Sequence, residues 1–390
     1  MCPGFKSLIR HQFQKRPTSH LRGAFSVPGV KQRQGSTFQE SGPAHAGSPN
    51  GRLRHFSGKN DIFMLRGSTP AIWRTNRKAS HMTNDRFGMG WGMAGGTTLA
   101  SVEEAREAAI LAEKAGFDSF WISHAAGVDS IAALGSIGRD VPGLSEVGTS
   151  VVPIYGRHPV AFAQLVRTAQ NATGGRLTLG IGTGNQGYVE DKLGLSFEQP
   201  YTYAREFIDG LEPLLNGTPA DTTGSLVSAH AELDIEAITT PILLAALGPR
   251  MLRFAGSRLQ GTTLGQCGPR TIASYILPHL REGAESSGRK SPLRVLALVR
   301  ICVTDDTAPA KALAREISAH YQAIPSYAEA TKHEGLDDPS DLHLIGTWPK
   351  VLDGLADYGE AGATDLRVQV VAPDDKSREA TYAALEEYLS

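Results

Sequence analysis

Apolar positions along this chain come in short runs separated by amphipathic stretches, and the alternation starts near Phe87. Eight of the runs read as strands, at roughly 87–92, 119–123, 146–152, 177–182, 242–247, 261–265, 294–303 and 366–371, each bounded by glycine, proline or small polar residues. Between them the apolar period lengthens to that of a helix. Val102, Ala105, Ala109 and Ala112 form one stripe, opened by a Ser101/Glu104 capping box and stopped by Gly116. Ala204, Phe207, Ile208, Leu211 and Leu215 repeat the pattern over 201–215 ahead of Gly217, and Val351, Leu352, Leu355 and Tyr358 repeat it over 349–358 ahead of Gly359. The clearest unit runs from Gly148-Thr149-Ser150-Val151-Val152-Pro153 through a helix bearing Val160, Ala163, Leu165, Val166 and Ala169 to Leu177-Thr178-Leu179-Gly180-Ile181-Gly182. Pro159 suits the first turn of that helix and Gly174-Gly175 its end. The two strands are therefore expected to be parallel and buried, with the loops that follow them on one edge of the sheet.

Eight such units in about 300 residues fit an α/β fold of the (β/α)8 TIM-barrel type better than a doubly wound sheet, which usually has fewer strands. In a barrel the reacting groups come from the C-terminal ends of the strands. The positions at stake are Trp91-Gly92, Ser123-His124, Ser150 to Pro153, Gly182 to Asn185, Leu247 to Arg250 and Gly265 to Gly268. Residues 218–240 form a weakly periodic insertion after the fourth strand, read either as a lid or binding loop or as a tolerated surface excursion. Gly182-Thr183-Gly184-Asn185-Gln186-Gly187 has the spacing of a dinucleotide-binding turn, but such a turn opens a long helix. The stretch from Tyr188 to Pro200 contains Gly194 and shows no helical stripe, so a glycine-rich strand exit accounts for the motif.

Charge divides the chain in two. Residues 1–81 carry 14 Lys and Arg against only Glu40 and Asp61, the remainder carries 25 against 38, and the near-cancellation hides this in a formal net charge of −1. The basic segment is rich in Ser, Gly, Pro, Gln and His and lacks apolar periodicity, so a disordered extension is expected over 1–81 and the barrel over 82–390. The extension reads as a nucleic-acid-binding arm, as an organelle transit peptide, or, preferably, as sequence ahead of a true start at Met82. With 41% apolar residues the chain can bury a large core, and no apolar run approaches the ~18 residues of a membrane span. A cytoplasmic enzyme with a small-molecule substrate and neither membrane nor nucleic-acid partner is expected. Cys2, Cys267 and Cys302 are too scattered for a disulfide framework or a zinc site, which suits a reducing cytosol. No HExxH or His/Asp cluster marks a metal, and no nucleophile elbow closes around Ser150.

Two strand ends carry chemistry on their own residues. Gly248-Pro249-Arg250 turns the fifth strand into a helix bearing Leu252 and Ala255, so free N–H groups and the positive helix end lie beside a guanidinium. That is an anion site suited to a phosphate, unless Arg250 simply pairs with a surface carboxylate. Arg270, after the sixth strand, reads as a solvated side chain. His124 ends the second strand and titrates near neutrality, so it is a candidate proton carrier unless it is merely structural.

Gly156-Arg157-His158-Pro159 with the alanine-rich helix and the run Gly174 to Gly184, together with Ala245-Ala246-Leu247-Gly248-Pro249-Arg250-Met251-Leu252, resemble the luciferase-like monooxygenase superfamily of flavin- and deazaflavin-dependent barrels. The resemblance runs from about Phe87 to the C-terminus. Within the superfamily the chain is most similar to the branch that uses coenzyme F420, a 5-deazaflavin with a phospholactyl-oligoglutamate tail. The alternatives are an oxygenase that uses reduced FMN and a cofactor-free binding barrel. The resemblance implies that Ser150, Val151 and Val152 face the tricyclic ring, with a non-prolyl cis peptide at Ser150-Val151. It further implies that the backbone of Gly182, Thr183 and Gly184 meets the pyrimidine edge, that Ala246, Leu247, Gly248, Pro249 and Arg250 hold the cofactor, and that His124 lies near the reactive carbon. A homodimer is the assembly it suggests. Two positions depart from the pattern: Ser123 stands where relatives commonly carry Asp, which weakens the support for a charged His124. Asn185 stands where the F420-dependent sugar-phosphate dehydrogenases place a proton-donating Glu. An amide cannot shuttle that proton, so the expected reaction is reduction of an unsaturated or carbonyl compound, or oxidation of an alcohol other than glucose 6-phosphate.

Overall fold

Eight parallel strands close on themselves in a computed structural model that describes residues 86–390 except Thr97. The barrel strands are β1 (Gly90–Ala94), β2 (Ser119–Ile122), β3 (Glu146–Thr149) with its continuation β4 (Val152–Pro153), β5 (Leu177–Gly182), β8 (Ile242–Leu244), β9 (Gly261–Leu264), β10 (Arg294–Val303) and β12 (Asp365–Val370). Each pairs in parallel with the next, and β12 returns to β1. Helices α1 (Val102–Lys114), α2 (Ser130–Ile137), α3 (Pro159–Ala172), α4 (Pro200–Leu215), α5 (Pro249–Arg258) and α6 (Leu277–Ser286) follow the first six strands. Three helices, α7 (Thr307–Gln322), α8 (Pro325–Glu334) and α9 (Trp348–Glu360), stand between β10 and β12, and α10 (Asp375–Leu389) ends the chain. This is the (β/α)8 TIM barrel that the alternating pattern predicts. The expectations for residues 1–81 lie outside the described residues.

Four local readings change. Phe87 and Gly88 take positive φ angles of 52° and 67°, making a turn, so β1 starts later and runs to Ala94. Trp91-Gly92 is consequently mid-strand rather than at the barrel mouth, and the Trp91 indole packs on Tyr388 of α10 at 5.3 Å. The third strand is broken at Ser150-Val151, where the peptide is cis, so one expected strand becomes β3 and β4. A short strand, β11 (Leu344–Gly346), adds to the end of β10 outside the barrel and was not foreseen. The capping box of α1 forms in one half: Ser101 Oγ accepts the Glu104 N–H at 3.1 Å as expected, while the Glu104 carboxylate accepts from the Ala100 N–H rather than that of Ser101.

The barrel interior is layered. At its base Arg294 on β10 donates to Glu146 on β3 (2.7 Å) and to Asp365 on β12 (3.0 Å), tying strands that are not all neighbours. Above that layer Trp121, Leu243 and Leu296 fill the centre. The indole needs glycine on both sides, since a Cβ added at Gly92 or Gly148 would come within 2.6 or 2.2 Å of its ring. Its Nε1 donates to Ser119 Oγ at 2.8 Å, which satisfies the one polar atom of the plug. The base and the plug close the barrel from below, so the open end is the end the strands point to. Cys267 and Cys302 are free, buried thiols, and among the described residues no helix is long and apolar enough to cross a membrane.

Residues 218–240 contain a hairpin of β6 (Ala220–Thr222) and β7 (Ala229–Ala231), whose turn is tied to α4 by one side chain. Glu206 on α4 is buried and accepts from the backbone of Leu226 (2.7 Å) and Val227 (3.0 Å) and from Ser225 Oγ (3.0 Å). Burial alone would raise its pKa, but the donors of Leu226, Val227 and Ser225 outweigh that and hold it at about 2. Because the folded-state pKa lies below the unfolded one, the stabilisation is complete above pH 4.5 and fades as pH falls toward 2. Glu206→Gln is expected to lower stability at pH 7 by on the order of 2–3 kcal/mol, with the gap to wild type closing on acidification. Thermal midpoints of both proteins across that range measure it; a gap that does not narrow would remove the charge from the explanation.

Candidate active site

The strand ends open into two adjoining hollows: an inner cavity of about 310 Å3 over the barrel axis and a groove of about 950 Å3 beside it. They share Val151, Asn185, Ala245, Thr263 and Tyr327. The groove runs along the exits of β5 and β8, and the first residues of α8 form its outer wall. The insertion 218–240 lines neither hollow; its Leu226 borders a separate side cavity of about 440 Å3 with Tyr155 and Tyr203. The lid expectation for that segment is therefore corrected, because Glu206 pins it to the side of the barrel. Tyr321 at the end of α7 and Ala323 to Tyr327 leading into α8 cover the mouth instead.

His124 follows β2 and lines the inner cavity. Nη2 of Arg157 donates both to its Nε2 (3.1 Å) and to Asp129 Oδ2 (3.2 Å), while Nδ1 lies 3.4 Å from Ser130 Oγ and 3.7 Å from Asp129 Oδ2. Both ring nitrogens meet donors, the Arg157 guanidinium at Nε2 and the Ser130 N–H at Nδ1 (3.4 Å). Burial pushes the His124 pKa below its ordinary value; Asp129 opposes this and Arg157 adds to it, so the ring is neutral at pH 7. Burial would raise Asp129, yet the Ala132 N–H, His124 and Arg157 outweigh it and keep that carboxylate ionised. Ser123, in place of an Asp, does not touch the ring: its Oγ donates to the Ser150 carbonyl at 2.8 Å. The carboxylate near His124 comes from Asp129, the N-cap of α2, a fold-level neighbour that motif spacing does not disclose.

The other expected site residues divide. Ser150 lines the inner cavity and its Oγ shares a 2.7 Å hydrogen bond with Thr263, and Val151 faces both hollows. Val152 does neither: it pairs in register with Ile181 and its side chain is fully buried in the core. Gly182, Thr183 and Gly184 form the floor of the groove, with Gly184 at φ +75°, and Ala246, Leu247 and Gly248 form its next wall. Pro249 and Arg250 are exposed and outside the lining. The Arg250 guanidinium lies 3.7 Å from the centre of the Tyr201 ring, a cation–π contact rather than a carboxylate pair. Arg270 is exposed. After Gly182 to Gly187 there is only a π turn, Tyr188–Lys192, whose Tyr188 N–H is capped by Asn185 Oδ1 at 2.9 Å, so no dinucleotide-type helix opens there.

The residues present fit a tricyclic ring with a phosphorylated tail. The groove floor is backbone and small side chains, and a Cβ added at Gly248 would meet nothing, so the approach to the N-terminus of α5 is open. Gly248 caps that helix with no side-chain hydrogen bond and Pro249 is its first residue, leaving the first N–H groups available to an anion. The acidic members of the lining, Glu190 and Asp191, belong to the π turn.

Among the inner-cavity residues not foreseen, Arg300 on β10 and Arg367 on β12 carry charge. A signal for them exists in the sequence. In Leu366-Arg367-Val368-Gln369-Val370, and in Leu298-Val299-Arg300-Ile301, polar residues interrupt parallel strands whose outer faces are covered by helices, so they point inward.

Residues 82–365 match the model of the family described as luciferase-like monooxygenase. A 5,10-methylenetetrahydromethanopterin reductase from Methanolobus tindarius is 29% identical over 245 residues, 62% of this chain and 74% of that protein. An F420-dependent glucose-6-phosphate dehydrogenase from Nakamurella multipartita is 30% identical over 259 residues, with the same coverage of 62% and 74%. In fold, the chain is similar to an F420-dependent secondary alcohol dehydrogenase in complex with an F420-acetone adduct, with a TM-score of 0.65 at 19% identity over 77% of this chain and 98% of that one. It is also similar to the oxygenating constituent of 3,6-diketocamphane monooxygenase from Pseudomonas putida, in complex with FMN, with a TM-score of 0.61 at 17% identity over 76% and 96%.

Proposed function

This chain belongs to the luciferase-like monooxygenase family, and from that premise we propose that it is a coenzyme F420-dependent oxidoreductase moving a hydride between F420 and a small organic substrate. What supports the reading is the groove, whose backbone floor at Gly182 to Gly184 leads to the uncapped N-terminus of α5, taken with relatives named for F420-dependent chemistry. F420 supplies a ring carbon that exchanges a hydride and, with carbon in place of the flavin nitrogen, has little use for oxygen. Val151 would hold the ring, the amides of Gly182 to Gly184 would bind its polar edge, and the α5 N-terminus would take the tail phosphate beside Arg250 on its Tyr201 platform.

His124 handles the substrate proton. In alcohol oxidation the substrate hydroxyl takes the place of Arg157 at Nε2 and gives up its proton there, and Asp129 beside Nδ1 offsets the charge the ring gains. Asn185 spends its carbonyl on the Tyr188 N–H and has no proton to give, so sugar-phosphate oxidation is not the activity proposed. The FMN-bound neighbour supports a second reading, an oxygenase using reduced FMN on the same barrel. Turnover under air and under argon separates the two: equal rates with F420 support hydride transfer, and a requirement for oxygen with reduced FMN overturns it.

A further inference from the structure

The base and the mouth of this barrel treat arginine in opposite ways. At the base Arg294 has two carboxylates, Glu146 and Asp365, one on either side. At the mouth Arg300 and Arg367, only 6% and 5% exposed, have none. They occupy inward positions on paired strands, with Leu298 beside Arg367 and Arg300 beside Gln369. All their partners are neutral: Arg300 donates to Gln369 Oε1 (3.0 Å) and Tyr321 Oη (3.2 Å), and Arg367 Nη1 donates to Ser123 Oγ (3.1 Å) and the Ser150 carbonyl (3.0 Å). Nε of Arg367 is buried with no partner. None of the residues lining the inner cavity is Asp or Glu.

Burying a charge without a counter-charge is costly, and two like charges on adjacent strands add to the cost. The strain registers in Arg367, whose pKa falls to about 10 through burial first and the repulsion of Arg300 second. A protein that neutralises its buried arginine at the base, and leaves two uncompensated where the cavity is open, has built a receptor for an anion that arrives with the ligand.

We infer that Arg300 and Arg367 bind a carboxylate carried by the substrate, whose apolar body lies in the inner cavity against Leu298, Leu264 and Ala94. A carboxylate is planar and accepts from two guanidinium N–H groups at once, one from each arginine, and Nη2 of Arg367 has no protein partner among the described residues. The inference rests on the proposed function only in placing the substrate in that cavity. It narrows the substrate class from small organic compounds to small organic acids.

Titration of the full chain without cofactor tests it, using benzoate, its neutral isostere benzamide and inorganic phosphate, followed by calorimetry and by thermal midpoint. Benzoate is expected to bind at least tenfold tighter than benzamide and to raise the midpoint. Arg300→Gln and Arg367→Gln are each expected to weaken benzoate at least tenfold. Ser123→Asp keeps both arginines and places a carboxylate where Ser123 Oγ now meets Arg367 at 3.1 Å, so it should abolish the preference for benzoate without lowering the midpoint. Equal binding of benzoate and benzamide, or phosphate binding more tightly than benzoate, would overturn the inference. So would undiminished benzoate binding by Ser123→Asp. Since no cofactor is present, failure of F420 to bind would leave these results standing, and the reverse also holds.

Discussion

His124→Ala is expected to slow hydride transfer about 10²-fold while leaving cofactor affinity within a few-fold, because the imidazole lies in the inner cavity, away from the groove proposed for the cofactor tail. The pH profile carries the finer information. A neutral imidazole is the active form for alcohol oxidation, and the folded-state pKa is lowered from 6.5 by burial, so the oxidative rate should hold at neutral pH and fall only as the medium drops below 6.5. Asp129→Asn removes the carboxylate that opposes this lowering, and should move the acid limb lower still. Single-turnover rates against pH for the three proteins measure this. A limb above pH 6.5, or a His124→Ala enzyme at full rate, would take proton transfer away from His124.

Arg294→Met is expected to destabilise the barrel by about 3 kcal/mol, since it strands Glu146 and Asp365 in a partly buried base with no cation between them. Burial alone would lower the Arg294 pKa, but the two carboxylates more than reverse it, and Thr178 also donates to Glu146. Replacing all three charges together, Arg294→Met with Glu146→Gln and Asp365→Asn, should recover most of the loss, because the cost lies in the unpaired charges rather than in the missing attraction. Thermal unfolding of the single and triple variants decides the matter. A triple variant as unstable as the single one would mean that the network holds the strands by geometry, not by charge balance.

The two arginine layers also show what the sequence discloses and what it withholds. Strand periodicity and turn residues suffice for the barrel: Leu177 to Gly182 and Arg294 to Val303 fall where their apolar runs end. The glycine exits after β5 and β8 likewise appear in the groove. What escapes is whatever depends on contacts between distant segments. Asp129 reads as a helix cap, and only the fold brings it to His124 and Arg157. Arg250 reads as an anion ligand, and only the placement of α4 gives it the face of Tyr201 to lie on. Val152 shares a motif with Val151, yet pairing with Ile181 turns it into the core. β11, three residues long, is too short for a period to register, and the covering role of Tyr321 and Tyr327 follows from an insertion whose path no local pattern records.

The proposed occupant of the groove is F420. Titrating the purified full chain with F420 and with FMN, and following cofactor fluorescence, tests it most directly. F420 is expected to bind at least tenfold tighter than FMN, and Arg250→Ala to weaken F420 about tenfold by removing a charge-assisted contact at the tail. FMN binding as tight as or tighter than F420, with oxygen consumed once the bound FMN is reduced, would contradict it.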